Sequence, residues 1–119
     1  MTPHTASAPP AAVIDGIFRA LSDPTRRDVV ERLSLKPASV SELAAPYRMA
    51  MPSFLEHLKV LESCGLVQSQ KSGRVRTYQL VADRLKVAED WLGNQRKLWE
   101  RRLEQLDAYL LQMKKEGLK

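Results

Sequence analysis

The spacing of apolar residues changes twice along the chain, from helical to alternating and back to helical. Val13, Ile14, Ile17, Phe18 and Leu21 recur at steps of three and four and predict a first helix. Ser22-Asp23-Pro24-Thr25 then predicts the start of a second. Asp23 can cap its free amides and Pro24 can occupy its first turn. That helix places Val29, Val30 and Leu33 on one side and ends before Pro37. Ser39-Val40-Ser41-Glu42 reads as a capping box for a third helix, kept short by Pro46. Pro52 opens a fourth, to about Ser63, and Gly65 supplies a left-handed stop beyond it. Leu66 to Gln70 and Arg74 to Leu80 then read as two strands around the turn Lys71-Ser72-Gly73. From Asp83 the helical period returns for some thirty residues, through Leu85, Ala88, Leu92, Gln95, Trp99, Leu103, Leu106, Leu110 and Met113. Residues 1–12, rich in Pro, Ala, Ser and Thr, read as a flexible tail. Residues 13–119 form one domain, its last helix at about 83–115.

Composition narrows the class. At 119 residues the chain has room for one modest core. It has no apolar run of about eighteen residues, so no membrane span is expected. The start, MTPHTASAPPAA, lacks the basic and apolar parts of a secretory signal. A single cysteine, Cys64, offers no disulfide framework and suits a reducing compartment, so a cytoplasmic location is expected. There is no nucleophile–base pair, phosphate-binding glycine loop or metal-ligand cluster. An enzyme is therefore not expected, and no cofactor is implied.

The net charge of +5 is unevenly placed. Residues 1–67 carry seven basic and seven acidic side chains, whereas 68–82 carry Lys71, Arg74 and Arg76 with no acid. A basic hairpin can be an ordinary solvated loop, or it can contact phosphates. Its neighbours favour phosphate. Two short helices joined by a tight connection, the second followed by this hairpin, form a mainly helical winged helix-turn-helix. An α-helix fits the major groove, where base edges carry a distinguishable hydrogen-bonding pattern.

On a fourth helix beginning at Pro52, steps of 100° gather Phe54, Leu58 and Leu61 inside. Pro52, Ser53, Glu56 and Lys59 fall outside and are the candidate readers of bases or phosphates. Glu56 can accept from cytosine N4, Lys59 can meet a phosphate, and Pro52 can touch a thymine methyl. The plainer alternative is a solvated face with one Glu56–Lys59 pair. Lys71, Arg74 and Arg76 are candidate phosphate or minor-groove anchors. His57 is expected to pack and hydrogen-bond, not to hold a metal. Cys64 is expected to be a buried structural thiol, since a helix carboxyl end does not favour a thiolate. Arg26 and Arg27 can meet phosphate or pair with Asp23, Asp28 or Glu31.

Phe18 to Arg27 (FRALSDPTRR), Ser41-Glu42-Leu43-Ala44, His57 to Glu62 (HLKVLE) and Gly65-Leu66-Val67 together closely resemble the ArsR/SmtB winged-helix repressors. The resemblance runs in order from about Val13 to Leu80, with Gly73 and Arg76-Thr77-Tyr78 at the wing. It implies a homodimer that represses transcription by binding a double-stranded DNA operator and is released by an inducer. The last helix resembles the family's dimerising helix, and Trp99, Leu103, Leu106 and Leu110 are its candidate interface. Trp91 and Tyr109 read as core or seam. The departures concern metal and the recognition helix. Many members bind metal through a cysteine-bearing third helix, where this chain has Glu42-Leu43-Ala44-Ala45-Pro46-Tyr47. Others use Asp and His on the last helix, whereas the histidines here are His4 and His57. A non-metal signal is therefore expected. The recognition helix begins with Met49-Ala50-Met51-Pro52, more apolar than the family's usual Ser and Gln. The alternative function is a coiled-coil interaction module without DNA binding, built on the last helix. Such a module has no need of an acid-free basic hairpin.

Overall fold

The computed structural model describes residues 11–117. Helices α1 (Ala11–Leu21) and α2 (Pro24–Leu35) meet at Asp23, whose carboxylate accepts from the Arg26 amide at 3.0 Å and caps α2 as expected. The first ten residues of the expected tail lie outside the described residues, while Ala11 and Ala12 already belong to α1. A two-residue strand, β1 (Ala38–Ser39), precedes α3 (Val40–Ala44). Ser39 caps α3 through both halves of the capping box: its hydroxyl accepts from the Glu42 amide at 3.2 Å, and its amide donates to the Glu42 carboxylate at 2.8 Å.

Helix α4 (Met51–Ser63) follows and stops at Gly65, where φ is 83°. The Leu66 amide returns to the Leu61 carbonyl at 3.1 Å, the long bond of a Schellman stop. A side chain at Gly65 would, besides adopting this φ, have to displace a neighbour. A Cβ there would lie 2.7 Å from Arg84 Nε, so this arginine passes directly over the glycine.

Strands β2 (Val67–Ser72) and β3 (Val75–Leu80) form the wing, with Ser72 opposite Val75. The turn is tighter than the sequence suggests. Lys71 and Ser72 continue the strand, and Gly73-Arg74 alone turn the chain. Gly73 has φ 62° while Arg74 stays at negative φ, the pattern of a type II′ hairpin turn. The sheet has three strands in the order β1-β3-β2, because Ala38 and Ser39 pair with Tyr78 and Thr77. A two-residue strand is too short to show alternation, so β1 leaves no mark in the apolar pattern.

Ile17, Val29, Leu43, Phe54, Leu58, Leu61, Leu66 and Val67 are the largest fully buried side chains, and they come from every element between α1 and β2 that the sequence predicts. Helix α5 (Ala82–Gly117) has 36 residues, about 54 Å at 1.5 Å per residue. The chain divides into two units, one up to Ala88 and one from Glu89 onward. In the first unit, Ala88 is buried and Leu85 and Val87 pack on the core. In the second, Leu92, Trp99, Leu103, Leu106, Leu110 and Met113 are each between 42% and 58% exposed.

Candidate nucleic-acid interface

The connection between α3 and α4 is held from three sides. The Tyr47 hydroxyl donates to Asp28 of α2, and the Tyr47 ring stacks on Phe54 of α4 with centroids 5.4 Å apart. The Arg32 guanidinium lies 6.0 Å from the same ring centroid. It also donates to the Leu43 and Glu42 carbonyls, both at 2.8 Å, and so closes the end of α3. Burial, followed by the bond to Asp28, pushes the Tyr47 phenol up. One aromatic ring thus fixes α2, α3 and α4 against one another.

A second brace holds the middle of α4. Arg26 donates through Nε to the Ala20 carbonyl at 2.8 Å and through Nη2 to the Arg19 carbonyl at 3.2 Å. Its Nη1 lies 3.1 Å from His57 Nδ1 on α4. Arg27 donates to the Leu21 carbonyl at 2.8 Å. The two arginines therefore satisfy the open carbonyls at the end of α1, where positive charge complements the helix dipole. The sequence left phosphate and carboxylate partners open and did not include these: the end of α1 turns back over the start of α2, and its carbonyls lie within reach of both side chains. His57 is packed and hydrogen-bonded, as expected, with Asp23 3.7 Å away. Partial burial works to raise the Asp23 carboxyl. The Arg26 amide, the His57 and Arg26 charges and the Thr25 amide outweigh it and hold the group below its ordinary value.

On the helix so held, Phe54, Leu58 and Leu61 are buried, and Pro52, Ser53, Glu56 and Lys59 are exposed. Met51 and Leu55 are exposed as well, at 47% and 42%. Ala50 at the N-cap supplies no side-chain acceptor and Pro52 has no N–H, so in the first turn of α4 the Met51 and Ser53 amides are the ones without a side-chain cap. Among the described residues no ion pair joins Glu56 to Lys59. Both line a groove of about 590 Å³ with Val13 and Arg19 of α1, and with Cys64. Pro52 and Ser53 do not line it. The exposed face thus splits into an amino-terminal part at the tip of α4 and a flank beside α1. Cys64, expected to be buried, is half-buried at the groove wall, and its thiol donates to the Leu61 carbonyl at 3.3 Å. The lack of a side chain at Gly16, whose Cβ would stand 3.5 Å from that of Cys64, leaves the wall open.

In the wing, the register sets Lys71 opposite Arg76 and Ser69 opposite Tyr78. Alternation puts Lys71 and Arg76 on the face that carries Val67, Ser69 and Tyr78. Arg76 donates to Ser69 Oγ at 2.8 Å, and the Ser69 hydroxyl donates to Glu62 at 2.9 Å. The last turn of α4 is thereby tied to the wing. This relay is invisible in the sequence, because Glu62, Ser69 and Arg76 meet only once the hairpin register is known. Lys71 and Arg74 are exposed at and beside the turn.

A braced two-helix unit followed by a basic two-stranded hairpin defines the protein as a winged helix-turn-helix. Residues 21–70 match the helix-turn-helix domain family. The chain is 44% identical over 66 residues to the HTH-type transcriptional regulator Rv2034 of Mycobacterium tuberculosis, covering 56% of this chain and 62% of that protein. A crystal structure of an ArsR family transcriptional regulator is 48% identical, with a TM-score of 0.75, covering 78% of this chain and 96% of the other. An ArsR-like transcriptional regulator from Rhodococcus sp. RHA1 is 33% identical, with a TM-score of 0.70 and coverage of 80% and 90%. The chain belongs to the ArsR family of transcriptional regulators. The match to Rv2034 spans about three-fifths of that protein's length.

Proposed function

We propose that the protein is a cytoplasmic, dimeric repressor that binds a two-fold-symmetric operator and carries out no catalytic chemistry. The supporting observation is the uncapped, exposed amino-terminal turn of α4, braced by Tyr47 and Arg26 and tied at its other end to a basic wing. Pro52, Ser53 and Glu56 meet base edges, and Met51 and Leu55 add apolar contact to thymine methyls. The free amides of α4 suit a backbone phosphate. Lys59, Lys71 and Arg74 neutralise phosphates, and Arg76 holds the wing in place while adding its charge. Trp99, Leu103, Leu106 and Leu110 form the seam between copies, since each well-buried leucine contributes roughly 1.5–3 kcal/mol.

We infer a non-metal releasing signal, because the third helix carries no cysteine and the last helix no histidine. Filter binding of genomic fragments at several salt concentrations tests the reading. Retention that falls steeply with salt and saturates first on a few fragments supports it, and no retention at low salt rejects it. That second outcome would leave the helical interaction module.

A further inference from the structure

The groove between α1 and α4 has the size and chemistry of a small-molecule site. Its volume of about 590 Å³ falls within the range of organic-ligand pockets, roughly 300–1,000 Å³. Val13 and Gly16 of α1, with Val60 and Cys64 of α4, supply an apolar floor. Cations stand at both ends. Arg84 lies over Gly65 at one end. Arg19 stands toward the other, because Arg26 ties its carbonyl to His57, about two turns of α4 before Gly65. Lys59 joins it from α4. Among the described residues, none of these three cations has an ion-pair partner. Glu56 and Glu62 share the lining, and Glu62 is engaged by Ser69. Three cations against two acids leave one positive charge to be matched. Gly16 is an independent observation. A glycine inside a helix costs conformational entropy that alanine would not. A Cβ at this position would meet the Cys64 Cβ at 3.5 Å, an ordinary contact. Packing therefore admits alanine, and what the glycine provides is open floor.

We propose that this groove binds a monoanionic organic acid with an apolar body, its carboxylate on Arg19 and Lys59. From Ala12 to Arg19 the α1 wall rises about 10 Å at 1.5 Å per residue, which suits an extended body of about eight to ten carbons. The apolar chain lies over Gly16, Val60 and Cys64, and its far end reaches the stem of Arg84. Charge-assisted bonds to a guanidinium and an ammonium hold the acid. In the reading above Lys59 also neutralises a DNA phosphate, so acid and phosphate compete for one ammonium. The bound carboxylate further sets a negative charge on the flank of the helix that approaches DNA. Filling the groove therefore weakens DNA binding and supplies a non-metal releasing signal. This second half rests on the DNA-binding reading, whereas the binding of the acid does not.

Calorimetric titration of octanoate into the full chain, without DNA, tests the site. One octanoate is expected per chain, and 1-octanol, which lacks the carboxylate, binds about tenfold more weakly. Arg19→Gln, a change at an exposed position, weakens octanoate by about tenfold as well. Gly16→Ala melts at a higher temperature yet binds octanoate more weakly, because its methyl group narrows the floor. No binding heat overturns the proposal, and so does octanoate that binds wild type and Arg19→Gln equally. Filter retention of genomic fragments then tests the coupling. Retention by the wild type falls as octanoate saturates it, and for Arg19→Gln it falls at about tenfold higher octanoate. Octanoate that binds and leaves retention unchanged overturns the competition for Lys59. No retention before octanoate is added would instead reject the DNA-binding reading, and the calorimetry alone would then decide the site.

Discussion

Arg26 Nη1 lies 3.1 Å from His57 Nδ1, and this contact joins the end of α1 and the start of α2 to the middle of the recognition helix. The same guanidinium serves two carbonyls of α1, so one planar side chain meets three partners. A lysine has a single nitrogen and cannot span them. Arg26→Lys is therefore expected to destabilise the fold by about 2 kcal/mol, within the range for lost hydrogen bonds to a charged group. It should also weaken specific DNA binding more than random binding, because α4 loses its alignment. Urea denaturation and competitive DNA titration check the two effects, and an unchanged urea midpoint would remove Arg26 from the brace.

Acid should loosen the helix starts first. The Ser39 amide and hydroxyl hold the Glu42 carboxyl below its ordinary 4.5, and Asp23 is held below its ordinary 3.8. Groups with lowered folded values contribute stability that is complete above the ordinary values and is lost as pH falls through the lowered ones. Stability is thus expected to fall below about pH 4.5. Asp23→Asn with Glu42→Gln keeps the capping geometry and should flatten that fall. Thermal melts between pH 3 and 6 provide the comparison.

The two wing arginines should differ. Arg74 stands in the turn, exposed and free of the relay that engages Arg76 with Ser69. Removing one cation from a phosphate reduces the salt slope by about 0.9, hence roughly twice that in a symmetric dimer. Arg74→Ala should weaken specific and random DNA binding alike and give the flatter slope. Arg76→Ala should flatten it less and lower thermal stability more. Equal slopes for the two variants would contradict this division.

Glu56 has no ion-pair partner among the described residues, and in the proposed complex its carboxylate stands near a polyanion. If it accepts from cytosine N4, Glu56→Gln relaxes preference at one symmetric base-pair position by about 1–3 kcal/mol. Its place beside α1, in the groove with Arg19, offers a purely local role. In that case the substitution tightens all DNA binding equally and leaves the preferred sequence unchanged. Selection of bound sites with both proteins separates the outcomes.

What could be read from the sequence follows from how local each signal is. The Asp23 cap, the Ser39–Glu42 box, the Gly65 stop and the inward set Phe54, Leu58 and Leu61 depend on residues within a few positions of each other, and all are present as expected. Strand β1 escaped because two residues show no period and its partner, β3, lies nearly forty positions away. The partners of Arg26 and Arg27 escaped because backbone carbonyls are common to every residue and carry no sequence signal, whereas carboxylates invite pairing. The exposed face of α4 was legible as a helical stripe. That Glu56 and Lys59 share a groove with α1, and that Arg76 is engaged by Ser69, required the packing of distant elements.

The central claim, a two-fold dimer reading DNA through α4 and the wing, is tested most directly by footprinting the full-length protein on genomic sites that it retains. A protected inverted repeat is expected, its half-sites separated by about one helical turn, 10–10.5 base pairs, or a multiple of it. Protection should be lost at both halves together when Leu103→Asp and Leu110→Asp break the seam. Protection of isolated, asymmetric half-sites that persists in that variant would contradict the claim.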